Sequence, residues 1–207
     1  MKLILKLFIF FIPLQLVHAA ASSELANLLN QVHTMRANFI QTTYDNHNKP
    51  IQKSYGKMAL MRPGKFRWEV SKPIPQTIIA NQNRLWIYDP DLEQVTIRAL
   101  NHAAGDAPAL LLSHTDMTLE KNFNVRENQP TTPTWRWFTL SSKDRESSFA
   151  NIQMGFAQNQ IKEMRLQDHL GHTTRIQFQN IQMNPSLNPS IFIFRASKRI
   201  DVINEAH

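Results

Sequence analysis

The chain has 207 residues, 23 basic and 16 acidic side chains, a formal charge of +7 and no cysteine. That composition excludes a disulfide framework, a thiolate metal site, a cysteine nucleophile and lipidation of the chain on a cysteine. The length suits a single domain with a sizeable core, and the basic balance suits acidic partners or anionic surfaces; with no dense Lys/Arg stripe, nucleic acid is not among the expected partners.

Lys2 and Lys6 precede an apolar stretch, residues 7–17, broken only by Pro13 and Gln15, after which Ala19, Ala20 and Ala21 follow. Positive charge, a short apolar run and small residues, in that order, are the signature of a secretory signal peptide. Residues 1–20 are therefore expected to be removed by cleavage near Ala19–Ala21, leaving a single exported domain, 21–207. The apolar run is shorter than the roughly 20 residues that a membrane-spanning helix needs. Loss of Lys2 and Lys6 lowers the formal charge from +7 to +5.

Ser22 or Ser23 can cap a helix carrying Glu24 in its first turn. Leu25, Leu28, Leu29, Val32, Met35 and Phe39 recur at helical spacing, which predicts an amphipathic helix over 23–42. A polar turn at 45–50 ends it. Phe66, Trp68 and Val70 then alternate with Lys65, Arg67 and Glu69, the period of a half-buried strand. Further strands are predicted at Gln76–Asn81, Arg84–Asp89 and 94–100, joined by Asn81-Gln82-Asn83 and Asp89-Pro90-Asp91 turns.

Asp106-Ala107-Pro108 suits a helix start before the apolar piece 109–113. Strands resume at 123–126, 135–141, Phe149–Ala157, Gln160–Asp168, 173–180 and 191–195, with Pro130 and Pro133 marking a loop. Regularly spaced short strands point to a large antiparallel sheet, a sandwich or a barrel, in one domain without internal repeats. Several strands are apolar on one face and polar on the other, so one face must be covered. Periodicity leaves open whether the helices complete an ordinary core or leave an apolar pocket, the usual form of a lipid site.

The segment Met61-Arg62-Pro63-Gly64-Lys65-Phe66-Arg67-Trp68-Glu69 resembles the RPG-x-F-R-W signature of the outer-membrane lipoprotein carrier family, LolA. The run Leu85-Trp86-Ile87-Tyr88-Asp89-Pro90-Asp91-Leu92-Glu93-Gln94-Val95 is similar to the family's following hairpin, and Pro108 with Leu110, Leu111 and Leu112 to its apolar lid helix. Phe192, Phe194, Asp201, Val202 and Ile203 are similar to the family ending. The sequence departs from the family pattern at Asn81-Gln82-Asn83, where Asp-Gly is common, and at Arg199-Ile200, where Gly-Val is usual.

This resemblance implies a mainly β fold with α: an incompletely closed antiparallel β-barrel (half-barrel) covered by a helical lid, with an apolar cavity between. It implies a monomeric periplasmic chaperone that accepts acylated lipoproteins from an inner-membrane lipoprotein-releasing ABC transporter and delivers them to an outer-membrane lipoprotein receptor. Arg62 matches the family arginine that bonds lid carbonyls and holds the empty protein closed, which places its expected partners around Leu29 and Leu112. The planar guanidinium, with five donors, suits that task. Phe66, Trp68, Ile79, Leu110 and Leu111 are expected to line the acyl-chain cavity; Ile78 replaces Ile79 if the register differs. Met58, Met61, Met154 and Met164 would add an adaptable lining.

Other chemistries lack their markers. No G-x-S-x-G elbow supports a lipase or esterase, and no P-loop supports an ATPase. His169-Leu170-Gly171-His172 reads as a hairpin turn rather than a metal site, and Asp89, Asp91 and Glu93 lack the glycine and glutamate spacing of a calcium loop. No catalytic residue, cofactor or metal is expected. The membrane-bound receptor of the same pathway, built on a similar half-barrel, begins with a lipidated cysteine, which this chain lacks. A lipid hydrolase with a cryptic site is the remaining alternative, distinguished by ester turnover.

Overall fold

The computed structural model describes residues 16–81, 83–100, 108–113, 121–129, 134–144 and 147–206, with the side chains of 16–19, Pro108 and Leu110 not described. Among them lie the α-helix α1 (Leu16–Asn30) and twelve strands. The strands are β1 (Thr34–Tyr44), β2 (Pro50–Met61), β3 (Lys65–Lys72), β4 (Gln76–Asn81), β5 (Arg84–Asp89) and β6 (Gln94–Ala99). After them come β7 (Phe123–Glu127), β8 (Trp135–Ser142), β9 (Phe149–Ala157), β10 (Gln160–Asp168), β11 (Thr173–Met183) and β12 (Asp201–Asn204). Short 3-10 helices cover Pro108–Ser113 and Pro189–Phe192.

All twelve strands form one sheet in the order β12-β6-β5-β4-β3-β2-β1-β11-β10-β9-β8-β7. Neighbours are antiparallel except β12, which runs parallel to β6. The sheet does not close, because β12 and β7 remain as its edges. The expected half-barrel is therefore observed as an open sheet. Its inner face carries the main core and is covered by α1, which packs against β7, and by the Pro108–Ser113 turn.

The first helix is shorter than expected. It ends at Asn30, and Met35 and Phe39 belong to β1, where Met35, Ala37 and Phe39 alternate inward. A spacing of four residues fits both a helix and a strand. Thr34, Ile40, Thr42 and Thr43, stiff at χ1, favour the strand. Because α1 begins by Leu16, Ser22 and Ser23 are helix interior and not caps.

The hairpin tips follow their local chemistry. Asp45 accepts the amides of His47 and Lys49, and Asp89 those of Asp91 and Leu92. Asp168 accepts the amides of Leu170 and His172 and the His172 ring nitrogen, with Gly171 at φ +86°. Each aspartate thus satisfies turn amides, and among the described residues no group of three or more metal-ligating side chains occurs. Likewise, no helix among them is long and apolar enough to cross a membrane.

The C-terminal segment corrects a second expectation. Residues 191–195 do not form a strand. A 3-10 turn capped by Asn188 instead seats Phe192, fully buried, on the outer face of the sheet beside Ala59 and Leu187. Arg67 donates to the Ile191 carbonyl (2.9 Å) and Asn81 to that of Phe192 (3.3 Å), so outward-facing polar side chains hold the tail in place.

Candidate functional site: a sheet closed by two arginines

Pairing register decides which expected residues face the cover. Trp68 pairs with Ile78, Phe66 with Ala80, and Arg67 with Ile79. Phe66 and Trp68 therefore point inward with Ile78 and Ala80, within the main core. Ile79 is buried as well, but on the outer face with Arg67. The expectation for Ile79 is corrected to Ile78, because one residue of register reverses the face of every side chain in a strand.

Inward aromatic rings stack at the centre of the sheet. The Phe39 and Trp68 centroids lie 3.5 Å apart with planes 12° from parallel, and Phe66 follows Trp68 at 6.0 Å. Met58, Met154 and Met164 face the same core, whereas Met61 packs on the outer cluster. Leu111 and Leu112 are buried against this face; the side chain of Leu110 and the residues Asp106 and Ala107 lie outside the described residues.

Arg62, in the turn after β2, ties the cover to the sheet. Its Nη2 donates to the Leu112 carbonyl (2.6 Å) and its Nη1 to Asn30 Oδ1 (3.5 Å). Its backbone amide donates to His33 O (2.8 Å), and the amide of Gly64 donates to Ser113 O (3.0 Å). One hairpin thus holds both the C-terminal end of α1 and the end of the 3-10 turn. The expected Leu112 partner is present. Toward α1, the guanidinium reaches the side chain of Asn30, one residue beyond Leu29, while the Leu29 carbonyl accepts the amide of Val32 (3.1 Å).

A second arginine, not singled out in the sequence, fastens the helix further toward its N-terminus. Arg136 on β8 donates to Glu24 on α1 (2.7 Å) and to Glu127 on β7 (2.9 Å). The bond to Glu127, then that to Glu24, raises its pKa above the ordinary arginine value against the opposing effect of burial. No local pattern marks Arg136, since its partners lie 112 and 9 residues away.

Among the described residues, a small apolar space lies between cover and sheet. It measures about 10 Å³ and is lined by Leu28, Leu29, Val32, Met35, Leu60, Arg62, Leu112, Phe156, Asn159 and Ile161. That is room for about one water. Leu29, Leu112 and Arg62 meet on its walls; Phe66, Trp68 and Leu111 sit on the inner face away from it. Every wall residue of this space except Arg62 and Asn159 is apolar.

Comparison with known proteins agrees with this architecture. Residues 30–195 match the family model described as outer membrane lipoprotein carrier protein LolA. An outer-membrane lipoprotein carrier protein of Methylococcus capsulatus is 39% identical over 183 residues, covering 88% of this chain and 87% of that protein. One from Dechloromonas aromatica is 36% identical over 190 residues, covering 92% and 90%. Among solved structures, a LolA superfamily protein from Nitrosomonas europaea aligns with a TM-score of 0.52 at 10% identity, over 84% of this chain and 97% of that one. An uncharacterized conserved protein from Thermus thermophilus aligns at 0.56 and 12% identity, over 88% and 99%. At such identities these structures speak for the fold alone.

Proposed function

The chain belongs to the outer membrane lipoprotein carrier family, LolA, and from that premise we propose that it works as a periplasmic lipoprotein chaperone whose helical cover opens to take up acyl chains. Export by the N-terminal segment 1–20 delivers it to the periplasm. There it accepts acylated lipoproteins from an inner-membrane ABC transporter and passes them, as a monomer, to an outer-membrane receptor. It is a carrier and not an enzyme.

Physical chemistry explains the need for such a carrier. Burying acyl carbons is worth about 0.8 kcal/mol per CH₂, so a chain of about 16 carbons exposed to water costs on the order of 12 kcal/mol. A lipoprotein does not cross an aqueous gap against that penalty. The carrier must offset most of it, yet not all, because cargo has to leave again.

The observation that carries the reading is the Arg62 bond to Leu112 beside a small apolar space between cover and sheet. The space beside Arg62, with room for about one water, does not hold an acyl chain. Loading at this corner separates α1 and the Pro108–Ser113 turn from the inner face and breaks the Arg62 bonds. Hydrogen bonds to charged groups are worth about 1.5–3 kcal/mol each, a small sum beside the burial of a whole acyl chain. Opening thus stores part of the binding energy of the acyl chain, and closure returns it at release.

The test is a release assay with purified protein and energised inner-membrane vesicles or spheroplasts. A lipoprotein should appear in the soluble fraction as a one-to-one complex. Arg62→Leu should form the complex but deliver its cargo poorly. Failure of the folded protein to release any lipoprotein, or normal delivery by the variant, refutes the respective part of the proposal.

A further inference from the structure

The outer face of the sheet carries a second, larger depression. It measures about 420 Å³ and lies across β11, β1, β2 and β3, with Ile191 of the C-terminal segment on its rim. At its floor is Ala59. Arg36 pairs with Ala59 from β1 and Arg67 pairs with it from β3, while Lys57 stands two residues along β2 on the same face. Three cations thus surround one methyl group, and a single carboxylate, Glu69, shares the groove.

Arg67 is already engaged, with Glu69 and with the Ile191 carbonyl. Arg36 and Lys57 are exposed and make no hydrogen bond or ion pair among the described residues. Like charges on diagonal strand neighbours repel, so the free groove holds two cations in an unfavourable arrangement that an anion between them would relieve. The other polar lining residues are Asn38, Asn180 and Gln182. Carboxamides offer both donors and acceptors, matching the peptide groups of an extended chain.

We propose that this groove docks an acidic, extended segment of a partner protein. Carboxylates would sit between Arg36 and Lys57, backbone groups would meet Asn38, Asn180 and Gln182, and a small apolar side chain would rest on Ala59 beside Ile191. Charge complementarity favours a carboxylate-bearing peptide, and it serves orientation and rate of encounter more than raw affinity. The groove lies on the face opposite α1 and the Pro108–Ser113 turn, so a docked segment leaves the cover free to move. The inference does not depend on the carrier reading.

The test is fluorescence anisotropy of a fluorescein-labelled poly-glutamate peptide titrated with the purified protein, poly-lysine of the same length serving as control. Poly-glutamate should bind saturably, more weakly as salt rises, and at least tenfold more weakly to Arg36→Glu/Lys57→Glu. The distant pair Lys121→Glu/Arg126→Glu, with the same change in net charge, should retain binding within about twofold of the parent. Equal loss in both double variants would mean attraction by bulk charge and overturn the proposal. So would absence of binding, or tighter competition by inorganic phosphate or anionic vesicles than by unlabelled peptide. Unaltered melting and circular dichroism of Arg36→Glu/Lys57→Glu confirm that the fold is kept. Lipoprotein release by that variant, assayed separately, distinguishes a failed groove from a failed carrier.

Discussion

Gly56 faces Phe39 across the β1–β2 pair, and the Phe39 ring occupies the space that a Cβ on residue 56 would need. Such a Cβ would stand 2.3 Å from the ring Cζ and 2.1 Å from the Glu69 carbonyl oxygen. The absent side chain lets Phe39 lie flat and stack on Trp68 at the middle of the inner face.

Gly56→Ala should therefore destabilise the protein even though alanine suits a strand no worse than glycine. Neither obstacle is a flexible chain end: one is backbone, the other a fully buried ring. Overpacking of this kind typically costs about 1–3 kcal/mol. A urea titration should show a lower midpoint at unchanged slope. An unchanged midpoint would mean that β2 and β3 separate freely at this point.

Glu163 on β10 is buried, 3% exposed, although it lies among polar side chains of the outer face. Arg165 and Arg175 each donate to it at 2.6 Å, and the Arg165 guanidinium lies 4.4 Å from the centre of the Trp137 ring. The bond to Glu163 raises the pKa of Arg175, with burial opposing. Glu163→Gln keeps the shape but leaves a single acceptor oxygen and turns an amide donor toward a guanidinium. Because both arginines are more than a third exposed, screening limits the cost to about 1–2 kcal/mol. Differential scanning calorimetry should register a lower Tm; a Tm equal to that of the parent would show the network to be energetically idle.

Asp168 gives the β10–β11 turn a pH dependence. Burial pushes its carboxyl upward, but the His172 ring and the amides of His172 and Leu170 outweigh this and hold it below its ordinary value of 3.8. A carboxyl with a depressed folded value contributes stability above its unfolded value and loses it as pH falls through the folded one. Asp168→Asn should thus cost about 1 kcal/mol near neutral pH. The difference between variant and parent should shrink below about pH 4. Urea midpoints across that range decide the matter: a difference independent of pH contradicts the assignment.

Much of this architecture was legible in the sequence because hydrophobic alternation and turn chemistry agree along most of the chain. The strands Gln76–Asn81, Arg84–Asp89, Phe149–Ala157 and Gln160–Asp168 stand where they were expected. Misreadings arose where two periods coincide, as at Met35 and Phe39, or where one residue of register decides a face, as at Ile78 and Ile79. The C-terminal turn carries the pattern of a strand, because Ile191 and Ile193 flank Phe192 in an apolar run. Its path over Ala59 and the parallel pairing of β12 with β6 depend on contacts distant in sequence. Within the site, the resemblance singled out Arg62 and Leu112. Asn30 and Arg136 emerged only from the geometry.

The proposed role of Arg62 as a latch on the cover can be measured without cargo. The Gly64 amide donates to Ser113 O beside the Arg62 bond to Leu112 O, so it exchanges with solvent only when this corner opens. Removing a hydrogen bond to a charged donor costs about 1.5–3 kcal/mol, and every 1.4 kcal/mol is about a factor of ten. In Arg62→Leu the Gly64 amide should exchange at least tenfold faster by native-state hydrogen exchange. Amides in the middle of β9 and β10, far from the cover's ends, should change little. Arg62→Lys should lie between, because one ammonium group reaches Leu112 O or Asn30 Oδ1 but not both with a guanidinium's geometry. Equal acceleration at Gly64 and in β9 would mean that Arg62 stabilises the whole fold and is not a latch on the cover.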